Sequence, residues 1–129
     1  MHEAELNRLG TLALDCAFRI HTALGPGLLE SSYKACLAFE LAQAGANVQM
    51  EVPVPLVYAG RKLADVGYRL DILLEDQLIL EVKSVEAVIP VHRAQLLSYL
   101  RLSNRRLGYV LNFNVISMKD GISRVVNRL

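Results

Sequence analysis

A chain of 129 residues has room for one domain, residues 1–129, with a real core of mixed helix and strand. Its 53% hydrophobic and 21% charged residues exclude disorder, and a formal net charge of +1 excludes long-range attraction to a polyanion, so a nucleic-acid contact would need a local patch. No apolar run reaches the roughly 18 residues of a membrane span, and Met1-His2-Glu3-Ala4-Glu5 lacks a signal-peptide pattern, so the chain is expected to be soluble, cytoplasmic and without a membrane partner.

Leu6, Leu9, Ala13, Ala17 and Ile20 recur at helical spacing and predict a first helix over residues 4 to 23, broken by Gly25-Pro26-Gly27. Leu29, Tyr33, Cys36, Leu37 and Leu41 predict a second helix from Leu28 to Ala44, with Pro26 and Gly27 shaping its start and Gly45 as its C-cap. Cys16 and Cys36 fall inside these apolar patterns and read as buried free thiols rather than a disulfide or a zinc site. Glu30 stands in the first turn of the second helix. There it either simply favours the helix dipole or serves as a third acidic group over the sheet. Tyr33, one turn on, is either core or a phosphate-positioning hydroxyl.

Val48 to Tyr58 reads as a strand, and Pro53 and Pro55 at alternate positions favour an edge. After a turn at Ala59-Gly60-Arg61-Lys62 come two strands, Tyr68 to Leu74 and Leu78 to Val85, separated by Glu75-Asp76-Gln77. Pro90 opens a third helix that runs to Leu102. Arg106 to Phe113 is a strong strand, Lys119-Asp120-Gly121 a turn and Ile122 to Val126 a last strand. This order implies an α/β or α+β sandwich with a mixed sheet, in which the third helix crosses over to set the Arg106 strand beside the central hairpin.

The central hairpin carries the chemistry. A three-residue loop centred on Asp76 would set Leu74 opposite Leu78, Leu73 opposite Ile79 and Asp71 opposite Glu81. Two like charges so opposed destabilise a sheet unless neutralised, and a divalent cation is a ready neutraliser. A loop of even length would instead turn Asp71 away. Alternation puts Lys83 with Glu81, on the face shared by Leu73 and Ile79, while Ile72, Leu74, Leu80 and Val82 face the other way. Both faces are then largely apolar, as in central strands, although the charges would also suit the solvated face of an edge strand.

Gln95 and Tyr99, four apart on the third helix, share a face and could orient a ligand or simply pair with each other. His92 is as fit for a structural role as for a catalytic one, and His21 suits a helix C-terminus. No glycine-rich phosphate loop or nucleophile elbow is present, so no organic cofactor and no acyl transfer are implied. Arg93, Arg101, Arg105, Arg106, Lys119, Arg124 and Arg128 are candidates for a basic patch or ordinary solvated side chains.

Gly27-Leu28-Leu29-Glu30-Ser31-Ser32-Tyr33 resembles the signature of the GxxExxY proteins, and the likeness extends over roughly residues 15 to 128. It takes in His21 to Gly27, Tyr68-Arg69-Leu70-Asp71, Glu81-Val82-Lys83, the helix from His92 through Gln95 to Tyr99, and Gly108 to Phe113. That family is in turn similar to the PD-(D/E)XK nuclease superfamily, which implies a restriction-endonuclease-like core and metal-dependent hydrolysis of a phosphodiester in DNA. The resemblance gives Glu30 the role of the helix glutamate, Asp71 that of the strand aspartate, and Glu81 and Lys83 those of the ExK pair. Gln95 and Tyr99 become the helix pair of the branch that looks like helicase-associated exonucleases. Leu70 replaces the proline that precedes the superfamily's aspartate. Asp71, Glu81 and the Val82 carbonyl would hold one Mg²⁺ or Mn²⁺, Glu30 would assist or hold a second ion, and Lys83 would stabilise phosphate charge or orient water.

Two other functions stand beside the nuclease. One is a catalytically silent nucleic-acid-binding or regulatory protein that keeps the fold; the other is an interaction module whose charges form ordinary ion pairs. A duplex interface buries about 1,000 to 2,500 Å² of protein surface, much for a chain this small, which makes a homodimer an additional expectation.

Overall fold

A computed structural model describes residues 1–129, and the first apolar stripe forms α1 (Glu3–Leu24), which buries Leu6, Ala13, Cys16, Ala17 and Ile20. Gly25 ends the helix in the left-handed region at φ 68°, where glycine meets no Cβ penalty, and its N–H caps the His21 carbonyl. Then α2 (Glu30–Gln43) begins later than its spacing suggested. Leu29 is its N-cap and Glu30 its first residue.

Next, β1 (Val48–Tyr58) and β2 (Arg61–Leu74) form a long hairpin, and β3 (Leu78–Lys83) follows. From there α3 (Pro90–Leu102) crosses to β4 (Leu107–Asn112), and a short 3-10 turn, Met118–Gly121, leads into β5 (Ile122–Val126). The sheet runs β1-β2-β3-β4-β5, antiparallel throughout except for the parallel β3 and β4. A parallel pair cannot be joined by a tight turn, which is why α3 intervenes. The edge position expected of β1 is observed. By contrast, β2 starts at Arg61 rather than Tyr68, so the segment before Tyr68 lengthens the ribbon and leaves Leu56, Tyr58, Leu63 and Val66 exposed.

Helices α1 and α2 cover one face of the sheet through a cluster of 18 buried residues, while α3 covers the other through a cluster of 8. This is a mixed α/β fold, a five-stranded central sheet flanked by three helices, as in a restriction-endonuclease-like core. Both cysteines are free thiols, with Cys16 buried. At the far end of β4 the Asn112 carbonyl lies only 2.0 Å from where a Cβ on residue 121 would stand, so that turn requires Gly121.

Leu74 pairs with Leu78 and Leu73 with Ile79, the register expected of a three-residue loop, and Ile72↔Leu80 is the last pair of that ladder. One expectation fails at the next residue. Leu70 packs with Leu73 in the cluster under α3, whereas Ile72 and Leu74 belong to the cluster under α1 and α2. Unbroken alternation would keep residues 70, 72 and 74 on one face, so the strand changes faces at Asp71 and this residue does not simply share the Leu73 side. In β1, Met50 pairs with Ile72 and Val52 with Leu70, which leaves Glu51 across from Asp71 with a left-handed φ of 51°.

Candidate active site

The site forms where β2 leaves β3. Beyond the Ile72↔Leu80 pair, the Val82 N–H loses its ladder partner and instead donates to Asp71 Oδ2 at 2.9 Å. This bond turns the Asp71 carboxylate toward β3. Glu81, the preceding residue on β3, is only 6% exposed, and its Oε1 is buried without a hydrogen-bond partner. Burial, and then the neighbouring Asp71 carboxylate, pushes the Glu81 carboxyl up to about 9, which Lys83 offsets only in part. Asp71 and Glu81 are therefore side by side, and an unpaired buried oxygen beside a carboxylate is what a cation would satisfy.

Tyr33 explains how Glu30 approaches. Its fully buried ring stacks on Phe113 at 4.6 Å, and its hydroxyl donates to the Gly25 carbonyl at 2.5 Å while accepting Leu28 N–H at 3.1 Å. Tyr33 is thus core and loop anchor, which leaves the phosphate-positioning alternative without a free hydroxyl. Ser84 Oγ, just past β3, donates to the Leu28 carbonyl at 2.6 Å and draws the start of α2 toward the end of β3. Glu30 occupies that start, half-buried at the positive end of the helix.

One turn after Glu30, Lys34 reaches the same acids. Its ammonium lies 3.3 Å from Asp71 Oδ1 and 2.5 Å from Glu51 Oε1. Burial acts to lower the Lys34 ammonium, but the Glu51 hydrogen bond and the Asp71 charge outweigh it and hold the group above its usual value. Glu51, Asp71 and Glu81 thus occupy neighbouring positions on β1, β2 and β3, with Lys34 between the first two.

On the α3 side, Tyr99 stacks on Tyr68 with ring centroids 4.3 Å apart. Burial, then the charges of Glu81 and Asp71, raises the Tyr99 hydroxyl, which sets it within reach of their field. The Tyr68 hydroxyl is buried without a partner, and burial pushes it up to about 12. Gln95, one turn before Tyr99, is exposed. Lys83 makes no ion pair, since the five salt bridges of the chain lie elsewhere, and acts on Glu81 through space.

The structure brings Asp71, Glu81, Lys83 and Tyr99 together, and Ser84 ties the loop before α2 to the end of β3. It does not join Glu30 to the pair as a third ligand, for no group of three or more His, Cys, Asp or Glu side chains is close enough to hold an ion. Two carboxylates still suit Mg²⁺, which characteristically takes one or two and fills its other positions with water and phosphate oxygens. His92 is spent on the start of α3, its Nδ1 accepting Ile89 N–H at 3.2 Å, and His21 Nε2 bonds the Val115 carbonyl at 2.7 Å. Arg105 binds Asp76 at the hairpin loop and Arg106 the Met1 carbonyl, both at the end of β3 opposite Lys83. These arginines are not at the acids.

Sequence reasoning missed Lys34, Glu51 and Tyr68. Lys34 was detectable, being four residues after Glu30 on a helix face expected over the hairpin. Glu51 was not, because its pairing with the site depends on bulges in β1.

A family model of the PD-(D/E)XK nuclease superfamily matches residues 7–125, and the chain belongs to that superfamily. No curated protein and no solved structure matches it. No helix is long and apolar enough to cross a membrane.

Proposed function

We propose that the chain is a Mg²⁺- or Mn²⁺-dependent nuclease that hydrolyses phosphodiesters in DNA, of the GxxExxY branch of its superfamily. The observation that carries this reading is the buried, unpartnered Glu81 Oε1 beside Asp71 on the adjoining strand. Asp71 and Glu81 would hold the ion with the Val82 carbonyl, and Glu30, which is not a third direct ligand, would act on it indirectly from the first turn of α2. Hard oxygen donors of this kind suit Mg²⁺ or Mn²⁺ rather than zinc. A bound ion supplies Lewis acidity toward a phosphate oxygen and eases ionisation of water near neutral pH.

The chain's own residues do the rest. Val82 N–H holds Asp71 in orientation, and an ionised Glu81 would be the second carboxylate to hold the cation. Lys83, without an ion-pair partner, is available to a phosphate oxygen. Tyr99, braced by its stack on Tyr68, walls the α3 side and helps exclude water, while the exposed Gln95 can meet the backbone of a bound strand.

A second reading, a catalytically silent nucleic-acid-binding protein, is favoured by Lys34, which already neutralises Asp71. A cleavage assay on single- and double-stranded DNA with Mg²⁺ and Mn²⁺ separates the two. Cleavage that disappears in Asp71→Ala and Lys83→Ala is the expected result. Metal binding without cleavage of any substrate would instead favour the silent protein.

A further inference from the structure

Building on that reading of the Asp71 and Glu81 pair, we propose that Lys34 is a tethered counter-ion that competes with the divalent cation for Asp71, and that Glu51 is the carboxylate onto which it withdraws. Asp71 has two oxygens and both are engaged: Oδ2 by Val82 N–H and Oδ1 by the Lys34 ammonium. Each oxygen keeps a second lone pair, so a divalent ion can approach either, but it then shares the carboxylate with the positive charge of Lys34 or displaces it. Two cations on one carboxylate repel each other strongly in a part-buried site, and the Lys34 side chain is only 15% exposed.

The ammonium has somewhere to go. Its shorter bond, 2.5 Å, is already to Glu51, whose side chain is 51% exposed. A small rotation of the flexible lysine stem releases Asp71 without leaving the charge unpaired. Glu51 owes its position to the left-handed backbone at the point where β1 and β2 change faces, directly across from Asp71. That a ligand belongs at this place is indicated separately by Glu81, more than nine-tenths buried with Oε1 unpartnered. Lys34 thus keeps Asp71 neutralised when no ion is bound and weakens the site for divalent ions, while Glu51 strengthens it by drawing the ammonium away.

Calorimetric titration of Mn²⁺ alone, at one fixed pH, into the full chain and its Lys34→Gln, Lys34→Arg and Glu51→Gln variants tests this, with folding checked by circular dichroism. Lys34→Gln should bind Mn²⁺ on the order of tenfold more tightly, a coupling of about 1.4 kcal/mol. Lys34→Arg, whose planar fork grips a carboxylate more firmly, and Glu51→Gln, which removes the withdrawal site, should both bind more weakly. If the parent binds Mn²⁺ and Lys34→Gln binds equally or less well, the competition is refuted while the metal-site reading survives. Should Lys34→Gln not fold, equal or tighter binding by Lys34→Arg refutes it in the same way. Absence of Mn²⁺ binding in the parent and in every folded variant overturns both.

Discussion

The two faces of the sheet are unequally built. Under α1 and α2, Ile72, Leu74, Leu78, Leu80 and Val82 meet a deep layer that includes Leu37, Leu41 and Tyr33, all buried. Under α3 the cluster is less than half that size, and the stacked Tyr68 and Tyr99 pack at its margin. The acids lie where β2 passes from one face to the other. A thick core backs the strands on one side, and on the other the smaller cluster is bordered by Tyr68 and Tyr99. The site is a defect in the sheet placed against its best-supported part.

Five substitutions sharpen or break this contrast. The largest expected effect is on the proposed chemistry: Asp71→Ala should reduce cleavage by at least about 100-fold in a DNA assay, because it removes the proposed metal ligand and with it the acceptor for Val82 N–H. Next, Leu80→Ala on the thick face should cost about 3 kcal/mol in urea unfolding, and Leu100→Ala under α3 about 2 kcal/mol, because the smaller cluster collapses more readily. Equal costs would remove the asymmetry.

Glu81→Gln should act in the opposite direction. The folded chain keeps a proton on Glu81 up to about 9, whereas the unfolded chain releases it near 4.5. Between those values the folded state binds more protons than the unfolded one, so stability falls as pH rises, by up to about 1.4 kcal/mol per pH unit. Glutamine removes that slope and should stabilise the metal-free chain by roughly 1 to 2 kcal/mol at about pH 8 in thermal melts. In the parent, Mn²⁺ binding near neutral pH should release about one proton, read from calorimetry in buffers of different ionisation enthalpy. The smallest effect is that of Tyr33→Phe, about 1 kcal/mol, since it keeps the Phe113 stack and loses only the bonds to Gly25 and Leu28.

Much of this was readable from residues alone, for local reasons. Helical periodicity located α1 and α2, alternate prolines put β1 at an edge, and a three-residue loop set Leu73 against Ile79. The turn of Asp71 toward β3 depends instead on the change of face at that residue and on the Val82 N–H bond, which no loop length foretells. The partners across β1 were hidden because register accumulates along a hairpin. Counting back from Tyr58↔Arg61 without irregularities puts Val48 opposite Asp71, but shifts between Val54 and Val57 bring Glu51 there instead. Gly67 belongs to that irregularity, since a Cβ on it would lie 2.7 Å from Leu56 Cβ. The role of Tyr33 was hidden for a similar reason. Its partner Phe113 is 80 residues away in sequence, as counted from the chain, and no local pattern foretells the stack.

The central claim, that the carboxylates of Asp71 and Glu81 share one divalent cation, is tested most directly by anomalous diffraction from crystals grown with Mn²⁺. One anomalous peak in contact with both carboxylates, with the Lys34 ammonium moved onto Glu51, is the expected result. Ordered Asp71 and Glu81 side chains without such a peak, under Mn²⁺ concentrations that occupy other sites on the protein, would contradict it.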